Sequence, residues 1–559
     1  MAKKKSSSKK PEFTPRPKSK AVAKAPLINP NYIYGGLLVL VALAVILIRL
    51  NFISIPFERD EGDYCYAGEL LLAGETPYLD FYEQKPPGLF YSYALLLGIF
   101  GKSLEAVHLT FLLLNLITVW FLFLVGKELF DTQTGVVIGA SYAFLSLTKA
   151  ASGFTVQAEH LLTLCFAIAF YYLLRAFKEE KNWQFILSGA VVSWSFLIKQ
   201  NGIFFIAFLG ITLLSYYILE AKPISWEKVF KKAGLFAAGV LLPVVVMLGL
   251  MVALGAFDEF LFWIYEYPKE YVSSIPFDVG IGFLKTKIGQ ISGNYKAFWG
   301  LAVIGLLLGS FTKISTYKKV MLWSLAFFSF LAITPGLRFY GHYFIKVFPA
   351  AAILIGVSVY AVSDLLKSSF GFKQAHWGVL GLFIFLPIQN MIENKSYYFD
   401  TNPTQILREV YGTNPFAESK VIGDYLKNSS KPGDELVVLG SEPQINFYAG
   451  LKCPSRHTFL VFLMTEHPKA SQWQQELKAD IEQAQPRYMA MVNHRFSWVM
   501  RPNSDQMIYN WSRNYISQYY KVIGYADIFR DRPTNYVWDA AALTYQPQSQ
   551  EYIAIFERK

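Results

Sequence analysis

Eleven apolar blocks, divided by polar connections, constrain this chain more than any other feature. They fall at about 33–50, 105–125, 134–150, 160–177, 184–198, 202–219, 233–255, 297–310, 319–335, 343–362 and 376–392. Roughly 20 consecutive apolar residues carry a helix across the hydrocarbon core of a bilayer. With 53% hydrophobic residues among 559, the chain is too apolar for a soluble enzyme of this size. The expected fold class is a polytopic α-helical membrane protein of about 11 transmembrane helices.

The net charge of +11 is concentrated at one end, with nine Lys and Arg in the first 24 positions. Residues 1–30 cannot bury enough apolar surface to fold and read as a disordered basic tail. Such a tail suits orientation on the cytoplasmic side better than binding of nucleic acid, and no nucleic-acid partner is expected. The first apolar block lacks a small-residue cleavage site and reads as a retained signal anchor. Cys65, Cys165 and Cys453 are too few for a disulfide framework or a thiolate metal site, although Cys65 and Cys453 would share a compartment.

A further run, Gly88 to Gly101, has only 14 residues. Charge decides its placement. If it stays on one side, the basic stretches at 175–181, 222–232, 313–319 and 367–373 all join the tail in the cytoplasm, as the positive-inside tendency requires. The domain layout is then the tail (1–30), a membrane domain (31–392) and a soluble extracytoplasmic α/β domain (393–559). Within the last, 431–440, 488–492, 521–525 and 552–556 read as strands and 470–485 as a helix. The aromatic loop 257–296, with Trp263, Tyr265, Tyr267 and Tyr271, reads as an aromatic belt of short interfacial helices.

The same threading places every polar constellation on the outer side. Asp60, Glu61, Asp63, Asp80 and Glu83 lie within 24 residues, with Lys85 close behind. Clustered carboxylates repel one another and resist desolvation, so they need a use. A carboxylate such as Asp60 or Glu61 can take a proton from an acceptor, or simply line a solvated loop. Lys85, stiffened by Pro86 and Pro87, can meet a phosphate or snorkel to the headgroups. Arg338, His342 and Tyr343 at the mouth of a later span can bind an anion or anchor at the interface. Tyr64, Asp80, Glu159 and Lys199 are candidate pocket residues. Glu159 and His160 diverge on a helix and make a poor joint metal site.

Asp-Glu-Gly-x-Tyr-x-Tyr-x-Gly (60–68), Gly-Glu-Thr-Pro-Tyr-x-Asp (74–80), Lys-Pro-Pro-Gly (85–88) and Arg-Phe-Tyr-Gly-His-Tyr-Phe (338–344) resemble the bacterial GT-C glycosyltransferases. That superfamily includes the protein O-mannosyltransferase and lipid A aminoarabinose transferase relatives. The resemblance covers roughly residues 30–390. It implies a polyprenyl-phosphate sugar donor, an acceptor that is lipid, glycan or protein, membrane-lipid contact, and inverting transfer at the outer face of the bacterial cytoplasmic membrane. By position, Asp60 becomes the general base and Glu61 its neighbour in substrate binding. Lys85, Arg338 and His342, with Tyr343, become donor-phosphate ligands. The resemblance fixes no cofactor, and it leaves a divalent cation open. Gly440 to Gln444 occurs in some relatives, with no role attached. A ligase or polymerase of lipid-linked glycans, and a secondary transporter, are the competing classes. The transporter predicts duplicated halves with ionisable residues at mid-membrane.

Overall fold

The computed structural model describes residue 1 and residues 29–272, 275–372 and 374–559. The basic tail falls on residues 2–28, outside the described residues, as do Lys373 and the side chain of Tyr271.

Each of the eleven apolar blocks is helical: Pro30–Leu50, Leu104–Leu129, Thr132–Leu145, Ala158–Glu179, Asn182–Ile198, Ile203–Ser215, Trp226–Ala253, Lys296–Phe311, Thr316–Leu331, Phe348–Phe370 and Ala375–Glu393. Among the described residues, eight stretches are long and apolar enough to cross a membrane. Thr132–Leu145, Asn182–Ile198 and Thr316–Leu331 are shorter, at 14, 17 and 16 residues. Small residues let the helices close up, since bilayer lipid supplies no hydrophobic drive between them. A Cβ at Gly189 would stand 2.2 Å from the Phe236 carbonyl oxygen, and one at Gly239 would stand 2.1 Å from that of Ile186.

The ambiguous run forms the 13-residue helix Gly88–Phe100. At about 1.5 Å per residue it reaches about 20 Å, short of a hydrocarbon core of about 30 Å. It lies along the helix Arg59–Leu72, where a Cβ on Gly68 would come 3.0 Å from the Ala94 nitrogen. Leu95, Ile99 and Phe100 stay exposed.

Beyond Ala375–Glu393 the chain builds a five-stranded sheet in the order β1-β2-β5-β3-β4, from Leu436–Leu439, Tyr488–Asn493, Tyr520–Asp527, Asn535–Trp538 and Tyr552–Arg558 as β1 to β5. The β1–β2 pair is parallel and the rest are antiparallel. Four strands and the helix Ala470–Ala484 match the sequence reading; β4 is a short edge strand that pattern did not reveal. Both faces of β1 are buried. Leu436 and Val438 join a separate core under Phe416–Ser429, whereas Val437 and Leu439 join the core continuous with the membrane helices. The C-terminal domain is therefore docked through one sheet face.

One reading fails here. The loop 257–296 is not an aromatic belt: Trp263 is fully buried and stacks on Tyr82 at 4.0 Å and on Trp473 at 5.1 Å, and Tyr267 is buried beside them. Tyr265 remains exposed, as do Phe277 and Phe283 further along. Aromatic rings gain more from mutual stacking and full desolvation than from half-immersion at an interface, and the C-terminal domain supplies the partner surface. Cys65, Cys165 and Cys453 are all free thiols.

Candidate active site

The helix Arg59–Leu72 starts with a reciprocal cap. The Glu58 carboxylate accepts from the Glu61 backbone N–H at 3.1 Å, and the Glu61 carboxylate accepts from the Glu58 N–H at 2.9 Å. This is a capping box with Glu in place of the usual Ser or Thr. The other Glu61 oxygen accepts from the Val156 N–H, and Gln157 donates to Glu58 at 2.7 Å. Glu61 is 1% exposed. Both its oxygens are therefore committed to backbone N–H groups, and they latch the 146–157 segment to the start of the helix Arg59–Leu72. Arg49 reinforces the latch by donating to the carbonyls of Gly153 and Ser146, each at 3.2 Å.

Asp60, one residue earlier, has no such commitment. It is half-buried in the first turn, and no described residue donates a hydrogen bond to its carboxylate. Its charge reaches Glu58, Asp63, Glu83 and His342, which lie on three separate segments.

Those segments form a ring. Gln200 donates to the Gln84 carbonyl at 2.9 Å, and Asn201 donates to the Ala332 carbonyl at 2.5 Å. Gly341 presses so closely on Ala150 that a Cβ would stand 2.1 Å from its carbonyl oxygen. Residues 146–157 then return to Glu58 and Glu61. All these segments end or begin spans at one end of the helix bundle, as the threading requires.

Within the ring, Lys85 pairs with Glu83 at 3.1 Å and lies 5.7 Å from the Tyr64 ring centroid. Lys199 pairs with Glu159 at 2.6 Å, and both are buried. His342 and Tyr343 contact each other with centroids 4.9 Å apart, and the Lys199 ammonium stands 4.6 Å over Tyr343. Arg338 lies half-buried in the preceding loop, between Leu337 and Phe339, whose φ values are 51° and 45°. Bulky side chains at positive φ store strain, and such strain concentrates where a side chain must be aimed. Asp80 is not part of this group: it is exposed and accepts from the Thr76 N–H at 2.7 Å, closing a local turn. His160 makes no hydrogen bond through either ring nitrogen among the described residues.

Two residues at this site escaped the sequence reading. Glu58 was legible from the Glu-x-x-Glu spacing. Lys346, fully buried, lies 4.7 Å from the Tyr343 ring centroid; its signal was an ionisable residue inside an apolar block.

Burial, then the neighbouring Asp60, pushes Glu58 up to about 8, and burial and Glu58 push Glu61 well above the ordinary carboxylate range. Burial and Glu83 raise Asp63 likewise, with Lys85 opposing. A raised acid binds a proton in the folded state that the unfolded state releases. Stability from the Glu58–Glu61 cap is thus fully present below an unfolded value of about 4.3 and declines as pH rises through about 8. The melting temperature of the parent is expected to fall more between about pH 5 and about pH 8 than that of Glu61→Gln. Equal slopes in a thermal scan would contradict the assignment.

Among the described residues no group of three or more His, Cys, Asp or Glu is placed to hold a metal ion.

With this geometry in place, comparison with known proteins is informative. The family profile described as dolichyl-phosphate-mannose-protein mannosyltransferase matches residues 84–250, which is less than half of the chain. Among curated proteins no sequence matches the chain. Solved structures do. The chain is similar to ArnT from Cupriavidus metallidurans bound to undecaprenyl phosphate, with 14% identity and a TM-score of 0.59 over 95% of this chain and 98% of that one. It is also similar to the oligosaccharyltransferase AglB from Archaeoglobus fulgidus in complex with an inhibitory peptide and a dolichol-phosphate, with 12% identity and a TM-score of 0.52 over 91% and 76%. At these identities the likeness is one of fold. The chain is a polytopic helical membrane protein that shares its fold with ArnT and AglB and carries a small C-terminal sheet domain.

Proposed function

We propose that this protein is an inverting glycosyltransferase that moves a sugar from a polyprenyl-phosphate donor to an acceptor at the outer face of the bacterial cytoplasmic membrane. The observation that carries the reading is Asp60: a half-buried carboxylate, unclaimed by any described donor, inside a ring that also holds Lys85, Lys199 and His342. ArnT and AglB, similar in fold, were solved with undecaprenyl phosphate and with dolichol-phosphate respectively, which supports a lipid-phosphate donor.

The chemistry balances with few groups. The acceptor hydroxyl gives its proton to Asp60 as its oxygen forms a bond to the anomeric carbon. The bond from that carbon to the phosphate oxygen breaks, and the electron pair leaves with polyprenyl phosphate, which gains one negative charge. Cations that meet that charge lower the barrier. The leaving group is already a phosphate, so no carboxylic acid is needed to protonate it, unlike glycoside hydrolysis. Lys85 and Arg338 are proposed to hold the phosphate. Reversing both charges is expected to weaken donor binding and leave acceptor binding near the parent value; unchanged donor affinity in a titration with undecaprenyl phosphate would remove them from that role.

The test of the function is to supply membranes containing the protein with radiolabelled polyprenyl-phosphate sugars. Label is expected to pass to a lipid, glycan or protein product as polyprenyl phosphate is released. Label that stays on the donor for every sugar tried would refute the reading.

A further inference from the structure

Two polar atoms deep in the ring are left over by this mechanism. Glu159 is fully buried; one oxygen accepts from Lys199 at 2.6 Å, and the other, Oε2, has no hydrogen-bond partner among the described residues. Lys346 is fully buried, and its Nζ likewise has none. The two residues are linked through one ring: Lys346 and Lys199 stand 4.7 and 4.6 Å from the same Tyr343 ring centroid, and Lys199 is the ion-pair partner of Glu159. A buried donor and a buried acceptor left unmade are each costly, and the cost is removed only by a group that bonds to them.

The chemistry of the pair selects that group. An ionised carboxylate only accepts and an ammonium only donates. A phosphate also only accepts, so it would satisfy Lys346 while facing the free oxygen of Glu159 with like charge. A sugar hydroxyl does both, donating to Glu159 Oε2 and accepting from Lys346 Nζ. An amino sugar would bring a third cation to a carboxylate already paired with Lys199, beside an uncompensated lysine, and is disfavoured.

We infer that Glu159 and Lys346 form a subsite that binds hydroxyls of a neutral sugar on the donor, next to the phosphate-binding groups. The inference rests on the transferase reading and names the substrate class of the same site. It also accounts for Lys199, which is the ion-pair partner of Glu159 at 2.6 Å.

The test uses the full-length purified protein and four probes: undecaprenyl phosphate, and undecaprenyl phosphate bearing glucose, mannose or a 4-amino-4-deoxy pentose. The parent is expected to bind at least one hexosyl form about tenfold or more tighter than the bare lipid phosphate, and tighter than the amino-sugar form. Lys346→Met and Glu159→Gln are expected to keep the parent's affinity for the bare lipid within about twofold and to lose the preference for the sugar. Glu159→Gln strips Lys199 of its buried partner and is the variant at risk of misfolding. Lys346→Met deletes an amine that has no hydrogen-bond partner, so its melting temperature should match or exceed the parent's. Variants that keep the parent's preference would overturn the subsite, as would a parent that favours the amino-sugar form or binds the bare lipid as tightly as every sugar-bearing one. A parent that binds none of the four overturns the donor reading itself, and this inference with it.

Discussion

Asp60→Asn is expected to lower the rate of sugar transfer by about 10²- to 10⁴-fold, the usual contribution of a positioned general base. Asparagine has the same shape, and the Asp60 carboxylate accepts no hydrogen bond from any described residue, so the fold loses nothing by the exchange. Donor binding and melting temperature should therefore stay close to the parent's while turnover collapses. Glu61→Gln supplies the contrast. Its carboxylate holds the Glu58 and Val156 backbone N–H groups, so this variant should lose stability as well as rate. If Asp60→Asn retained parental turnover, Asp60 would not be the base; if the two variants behaved alike, the division of roles between adjacent carboxylates would fail.

The second large effect concerns Arg59, on the other side of Asp60. Its guanidinium donates to the Ser441 carbonyl at 2.7 Å and to Glu442 at 2.5 Å, and Glu442 is fully buried. Glu442 also accepts from Ser497, and Gln444 packs so tightly on Gly62 that a Cβ there would stand 2.4 Å from its own. The Gly440 to Gln444 stretch thus gains a physical role: it clamps the first turn of the helix Arg59–Leu72 from the C-terminal domain. Removing one partner of a buried pair strands the other charge, at a cost of about 3 kcal/mol or more. Arg59→Met is expected to loosen the docking of the C-terminal domain by roughly that amount. Hydrogen exchange should show lost protection at 440–446 and in the first turn of Arg59–Leu72. Unchanged protection in both segments would mean that the clamp contributes nothing.

The split between what the sequence revealed and what it hid follows the range of the interactions. Apolar periodicity is local, so all eleven apolar blocks were legible as helices, eight of them in stretches long enough to cross a membrane, and so were four of the five strands. The short length of 88–101 was legible too, and the segment is a 13-residue helix. Arg59 and Glu442 are 383 positions apart, and no local pattern announces such a pair. Trp263 looked like an interfacial ring because its partners, Tyr82 and Trp473, come from distant segments. Among the site candidates, Asp60, Lys85, Glu159, Lys199, His342 and Tyr343 reach the ring. Asp80 was drawn in by composition alone and instead closes a turn. Lys346 was hidden because it sits within an apolar stretch, although an ionisable residue at such depth is itself a signal.

The central claim is that acid, base and cation side chains from distant segments share one chamber at the outer rim of the membrane. Single cysteines placed at positions 60, 199 and 338, in a protein whose native cysteines are replaced by serine, can be tested in intact cells with a membrane-impermeant thiol reagent. All three are predicted to label from outside. Labelling of position 60 from one side and position 338 from the other would contradict the account.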